Sequence, residues 1–377
     1  MKLLINACVL TVLGVSTVGQ AKAQIDVGRA IIHAAPTNPE GIGPVVTGGP
    51  SAQDPQSARI GAVIADAAAT DPPLLSPQER GFFDALGRRL TNGAAAYESY
   101  VRSAAAIDPR FTDARSVQSA LLVAENYNPA QLQEGAIAYA AVLALRNQAF
   151  VDGVRAQNER GLAEALIADP EAVLHLPGAY AAARDVSGVM LAQAGAVRGV
   201  GRQISDAAYS VQRQAWSQRP VAEPQKILAL AKTSAIKLAT ADLPSQRRLL
   251  DNIAVASSGS GANSAPSDTV TQGLALAAVA ILGGTGDERE SRFEPLLRDL
   301  RNADCLRMAK LNLNQCLAVA GPQYDDVFCL GQHAVGETGQ CLLAAADTEQ
   351  APEGMRTAQL EGYGSERAEA YGQAAPR

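Results

Sequence analysis

NPAQLQEGAIAYAAVLAL, at residues 128–145, is the stretch that points to a helical fold. Its asparagine is a favourable N-cap residue, and the proline that follows suits the first helical position because a proline has no N–H to leave unbonded there. Apolar residues then recur at spacings of three and four, at Leu132, Ala136, Ala140 and Leu143. This periodicity predicts a helix that packs against neighbours.

The same helix-start signal occurs elsewhere in the chain. Ser76-Pro77-Gln78-Glu79 combines an N-cap serine with a glutamate that completes a capping box, and Asp169-Pro170-Glu171 places an acid in the first turn. Helices that begin with proline are predicted at residues 77, 129, 170 and 224. These helix starts lie roughly 40 to 55 residues apart, a spacing that resembles that of helical-hairpin solenoids. Because no sequence self-similarity accompanies this spacing, we predict an all-α, irregular multi-helix domain, with α-solenoid-like helical pairs as the alternative.

The N-terminus has the features of a Sec-type signal peptide. Lys2 precedes an apolar stretch from Leu3 to about Val18, and Ala21-Lys22-Ala23 fits a cleavage site with small residues. We therefore predict cleavage after Ala23, which also removes Cys8. The mature protein is expected in the periplasm or outside the cell.

Charge and hydropathy exclude several partners. Without residues 1–23 the chain keeps 30 basic and 38 acidic residues, a net charge of −8. Nucleic acids and anionic membranes call for a basic surface, so neither is an expected partner. The longest apolar runs, residues 136–145 and 274–282, are far below the ~20 residues of a membrane span. We predict that both are buried helices.

Composition divides the mature chain into segments. Residues 24–54 are rich in Pro and Gly and predict a flexible leader, and residues 55–257 form the predicted all-α domain. A Ser/Gly-rich linker at 258–266 leads to a helical cysteine-containing region at 267–346, and the tail at 347–377 has little to bury. We predict that this tail is disordered.

One long helical segment, between Asp185 and Trp216, contains four glycines, at residues 188, 195, 199 and 201. Each glycine lowers helix propensity by up to ~1 kcal/mol relative to alanine. We therefore predict that they let another backbone approach closely.

Four cysteines in the last quarter of the chain predict two disulfides in an oxidising compartment, Cys305, Cys316, Cys329 and Cys341. Gly321-Pro322 marks a turn between two helical arms. Cys305 and Cys316 lie ~16.5 Å apart along a helix but on the same side of it, so each must pair with the other arm. We favour the nested pairs Cys305 with Cys341 and Cys316 with Cys329.

The geometry of the second arm does not exclude the crossed pairing, which joins Cys305 with Cys329 and Cys316 with Cys341. Twelve residues of unbroken α-helix place its two cysteines ~120° apart. Three glycines offer positions at which this helix could break, Gly331, Gly336 and Gly339. No close Cys pair such as C-x2-C is present, so we predict neither a metal nor a cofactor.

The candidate functional residues define three hypotheses. Polar and aromatic residues around the disulfides suggest an interaction surface, consisting of Tyr324, Asp325, Asp326, Phe328, His333 and Glu337. The sequence thus favours a soluble, non-enzymatic envelope protein that acts through protein contacts, with either the disulfide-stapled end or the long glycine-containing helix as its interaction surface. A cell-wall glycan hydrolase using Glu98 is the first alternative, although we expect Glu98 to face solvent, and a periplasmic small-ligand binder is the second.

Overall fold

A computed structural model describes residues 75–157, 159–222, 224–233, 242–255 and 265–350. The predicted signal peptide at 1–23 and the leader at 24–54 lie outside these residues. So do positions 256–264, which include most of the predicted linker, and the tail from 351 onwards.

The described part of the chain contains no strand and confirms the all-α class. A single antiparallel bridge joins Pro220 and Pro322. The α-helices are α1 Pro77–Leu86, α2 Arg88–Ala105, α3 Ala114–Ala124, α4 Pro129–Ala144, α5 Gln148–Ala156, α6 Leu162–Ala168, α7 Ala179–Val211, α8 Pro224–Thr233, α9 Leu243–Val255, α10 Asp268–Ile281, α11 Glu290–Phe293, α12 Leu300–Val319, α13 Gln323–Cys329 and α14 Thr338–Ala346.

The predicted helix starts are present, with one difference in helix type. Ser76 and Glu79 form the capping box of α1, and the Asn128 side chain accepts from two amides in the first turn of α4. Pro170 opens a 3-10 helix, Pro170–His175, rather than an α-helix. The Asp169 side chain makes no capping bond there.

Helices α4 and α10 form the centre of the molecule and pack against each other. Twelve of the 16 residues of α4 and 12 of the 14 residues of α10 are buried, on all sides of each helix. A helix that is apolar all round is stable only when neighbours surround it. The prediction that the apolar runs 136–145 and 274–282 are buried helices is therefore confirmed.

Small residues let these central helices approach closely. A Cβ atom at Gly135 of α4 would lie 2.6 Å from the carbonyl oxygen of Gly93 in α2. A Cβ atom at Gly273 of α10 would lie 2.5 Å from the Cβ atom of Ala140 in α4. Neither distance is possible for a real side chain, so both contacts require glycine.

The 33-residue helix α7 contacts the central helices and also the cysteine-containing region. We call residues 300–346 of that region the stapled hairpin. The chain that follows α7 runs beside the turn of this hairpin, where Val221 N–H donates to Gly321 O and Gln323 N–H donates to Arg219 O, both at 3.0 Å. Buried residues from both sides of positions 256–264 belong to one hydrophobic core.

Candidate functional site

Two nested disulfides close the stapled hairpin. Cys305 pairs with Cys341 and Cys316 pairs with Cys329, each with a Cα–Cα distance of 5.7 Å. The favoured pairing is confirmed, and the crossed pairing does not form. Such bonds persist in oxidising compartments and are rare in the cytosol, so they indicate a non-cytoplasmic environment.

The second arm meets both cysteines of the first arm without a break. Residues Leu330–Glu337 form a π-helix between α13 and α14. Its hydrogen bonds reach one residue further than those of an α-helix, so the chain rotates less per residue. This lower rotation offsets the ~120° by which an α-helix would misalign Cys329 and Cys341. The helix does not break at the glycines that offered such positions but widens into a π-helix.

Glycines of the π-helix and of α14 let the second arm pack closely against α7. A Cβ atom at Gly331 would lie 2.5 Å from the Ser205 amide nitrogen, and one at Gly339 would lie 2.7 Å from that of Arg198. Gly201 of α7 faces Gly336 in the same way. The predicted packing role is confirmed for Gly201 but not for the glycines at 195 and 199, whose Cβ atoms would meet nothing within 4 Å.

A buried polar network fixes the inner side of the hairpin. Lys310 Nζ donates to Oε2 of Glu125 at 3.0 Å and lies 4.3 Å from the centre of the Tyr127 ring. The Tyr127 hydroxyl is 3.0 Å from Oγ1 of Thr338. Burial raises the pKa of Glu125, and the Lys310 charge acts against this rise. These contacts join the inner face of the hairpin to the residues that follow α3.

The predicted interaction residues fall into two groups. In the first, His333 Nδ1 lies 2.8 Å from Glu337 Oε1 on the π-helix, and the Asn312 side chain donates to the other oxygen of Glu337. In the second, Tyr324 and Asp325 lie beside the turn, where Tyr324 N–H donates to Ser217 O and Asp325 Oδ2 accepts from Gly321 N–H.

Asp326 and Phe328 differ in exposure. Phe328 is 40% exposed, whereas Asp326 is only 5% exposed. Burial raises the pKa of Asp326 to about 7, and the neighbouring Asp325 charge contributes to the rise. Asp326 therefore cannot belong to an outward-facing surface, although Phe328 can.

Four large apolar residues of α12 are exposed, and three of them lie between the first and the third cysteine of the hairpin. Met308, Leu311 and Val319 are 53%, 47% and 83% exposed. We call them, with Phe328, the apolar face. They were not among the residues predicted from the sequence, although their spacing of three and eight along one helix is a signal that could have found them.

Glu98 is not where the hydrolase hypothesis needs it. Its side chain is 3% exposed, so the expectation that it faces solvent was wrong. Nε of Arg102 lies 3.2 Å from one carboxylate oxygen, and Nε of Arg248 lies 3.4 Å from the other. This arrangement is an ion-pair network in which a buried carboxylate meets two partly exposed arginines, and it joins α2 to α9.

The described residues include no group of three or more His, Cys, Asp or Glu side chains placed to hold a metal ion. Within the same part of the chain, no helix combines the length and the apolar character that crossing a bilayer requires. No protein-family model, curated protein or solved structure matches this chain.

Proposed function

We propose that this chain is an exported protein of the bacterial envelope that acts by binding another protein through the apolar face of its stapled hairpin. The face consists of Met308, Leu311, Val319 and Phe328. The observation that carries this proposal is the exposure of these four large apolar side chains on a covalently stapled element.

Export is supported by two independent features. The first 23 residues have the composition of a cleaved signal peptide, and the mature chain has two disulfides that need an oxidising compartment. Together they favour the periplasm or the extracellular space. Intact-mass analysis should find a mature chain that begins at Gln24. Its four cysteines should not react with alkylating reagents unless the disulfides are first reduced.

Protein binding is supported by the low charge of the stretch that carries the apolar face, where one exposed ion pair, between Asp304 and Arg307, precedes Met308 on the same helix. The exposed residues from position 308 to 332 are all uncharged, namely Met308, Leu311, Gln315, Ala318, Val319, Gly321, Phe328 and Gln332. Depletion of charge together with enrichment in aromatic residues and Met is typical of the centre of a protein interface. A rigid element also loses less conformational entropy on binding than a flexible one.

These properties define the partner. Burying a charged group against the apolar face would remove its hydration without supplying an ion pair. The expected occupant is therefore an apolar, uncharged surface of a second protein, such as one side of an amphipathic helix.

Site-specific photocrosslinking in the native host tests this proposal. A photoreactive amino acid at Met308 and at Phe328 should give covalent adducts with the same second protein. The matched control is Gln203, an exposed residue of α7 outside the apolar face. A charge-introducing substitution, Leu311→Glu, should abolish the adducts without lowering the melting temperature.

Two results would contradict the proposal. The absence of adducts at native abundance, or equal yields at Gln203, would show that the apolar face is not a binding site. If adducts form only between copies of this chain, the apolar face is a homodimer interface and not a binding site for a second protein.

A further inference from the structure

A cleft of about 380 Å³ lies where α4 ends, α5 begins and α7 passes, away from the stapled hairpin. Apolar side chains of Leu143, Val186 and Val189 line one part of it. Polar residues line the rest, Arg146, Asn147, Gln148 and Asp185. The volume is at the lower end of the range for small-molecule sites, which is ~300 to 1,000 Å³.

The local structure positions these polar groups. Asn147 is the N-cap of α5, and its Oδ1 accepts from the Phe150 amide. Its Nδ2 donates to Oδ2 of Asp185 at 2.9 Å, which joins α5 to α7. Among the described residues, none donates to the second oxygen, Oδ1, of Asp185. One asparagine thus orients the carboxylate and leaves it with acceptor capacity.

Arg146 supplies the opposite charge. It is the second residue after the end of α4, and its side chain is partly buried. Burial lowers the pKa of Arg146, and the Asp185 charge only partly offsets this. Because Arg146 lines the cleft, its guanidinium can meet an anionic group of a ligand there. The first amides of α5 add a partial positive charge to the same cleft.

We propose that this cleft binds a small zwitterion, an α-amino acid or short peptide with an aliphatic side chain. Arg146 binds its carboxylate, Asp185 binds its ammonium group, and Leu143, Val186 and Val189 contact the aliphatic side chain. A zwitterion meets an opposite charge at both residues. An anion alone would be attracted by Arg146 but repelled by Asp185, and a cation alone would be attracted by Asp185 but repelled by Arg146. This site is independent of the apolar face and of the protein-binding proposal.

Calorimetric titration of the mature, oxidised protein tests the proposal with two probes, L-leucine and L-alanyl-L-leucine. At least one of them should bind at a 1:1 ratio. Leucinamide lacks the carboxylate and 4-methylpentanoate lacks the ammonium group, so each analogue of leucine should bind at least ~10-fold more weakly if leucine is the better probe. If the dipeptide is the better probe, its amidated and deaminated forms are the corresponding analogues.

Variants assign the roles of the two charges. Arg146→Met should weaken probe binding at least ~10-fold, whereas Arg202→Met, an exposed position of α7 outside the cleft, should leave it unchanged. Asp185→Asn should remove the preference for a ligand with an ammonium group, so that the deaminated analogue binds as well as the probe. This change of preference is measurable even if Arg146→Met lowers stability.

The proposal is wrong if neither probe binds at 10 mM, on the order of the weakest affinity that calorimetry detects. It is also wrong if Arg146→Met and Asp185→Asn both bind the probe as the native protein does. In either case the apolar-face proposal is unaffected, because its crosslinking readout does not involve the cleft.

Discussion

Gly201 of α7 and Gly336 of the π-helix touch backbone to backbone. A Cβ atom at Gly201 would lie 2.6 Å from both the nitrogen and the Cα atom of Gly336. No real side chain occupies such a position. This contact joins the stapled hairpin to the 33-residue helix α7.

Gly201→Ala should destabilise the protein, because the added methyl group meets backbone that cannot move aside. Overpacking of this kind costs ~1 to 3 kcal/mol in the free energy of unfolding. Gly195→Ala is the matched control on the same helix, where a Cβ atom meets nothing within 4 Å. It should be neutral or stabilising by up to ~1 kcal/mol. Urea denaturation measures both, and equal stability of the two variants would contradict the close approach of Gly201 and Gly336.

The two disulfides should contribute unequally to stability. Cys305 and Cys341 are separated by 36 residues, whereas Cys316 and Cys329 are separated by 13. Each disulfide restricts the unfolded chain, and the longer loop loses more entropy. The free energy of unfolding should therefore fall by ~4 kcal/mol in the double variant Cys305→Ala and Cys341→Ala, and by ~3 kcal/mol in Cys316→Ala and Cys329→Ala. Denaturation of each double variant under oxidising conditions tests this order. A larger loss for the shorter loop would show that native-state contacts, rather than chain entropy, dominate.

Asp326 should make stability depend on pH. The ordinary pKa of an aspartate carboxyl is 3.8, and burial raises that of Asp326 to about 7, so the folded state holds the proton more tightly than the unfolded chain does. The stabilising contribution is complete below pH ~4 and is lost as the pH rises to ~7, a change on the order of 4 kcal/mol. Asp326→Asn should remove this dependence, and denaturation between pH 4 and 8 measures it.

The control for this pH dependence is Asp206→Asn, at an exposed position of α7. This variant should follow the native pH profile. If Asp326→Asn also follows the native profile, Asp326 does not titrate in this range.

Glu98 should prove structural. Glu98→Gln keeps the shape of the side chain but loses charge-assisted bonds to Arg102 and Arg248, at a cost of ~1 to 3 kcal/mol. Glu134→Gln is the control, because Glu134 pairs with Arg89 in a half-exposed position where an ion pair contributes less than ~1 kcal/mol. Peptidoglycan digestion by the native protein, abolished by Glu98→Gln at unchanged stability, would instead revive the hydrolase hypothesis.

Features that depend on neighbours in sequence were the ones that could be predicted. The capping box at Ser76 and the N-cap at Asn128 act within four residues, so their patterns were sufficient. The nested disulfides also followed from local geometry, since the 11-residue spacing of Cys305 and Cys316 determines both their separation and their direction on a helix.

Features that depend on distant contacts could not be predicted in this way. The π-helix aligns the cysteines of the second arm with those of the first arm and also brings Gly336 against Gly201 of α7. These two glycines are more than 100 residues apart in the sequence. The burial of Glu98 depends on Arg248, 150 residues away. The cleft at Arg146 was also missed, because Asp185 reaches it from another helix.

The close approach of α2, α4 and α10 has a consequence for how this protein tolerates sequence change. An ordinary interior loses stability mainly when large side chains are truncated, which leaves cavities. The contacts between these three helices instead consist of methyl groups and bare backbone, as at Gly135, Ala140 and Gly273. Substitution can remove little volume from these contacts and add almost none, so sequence change at these positions is confined to the two or three smallest amino acids.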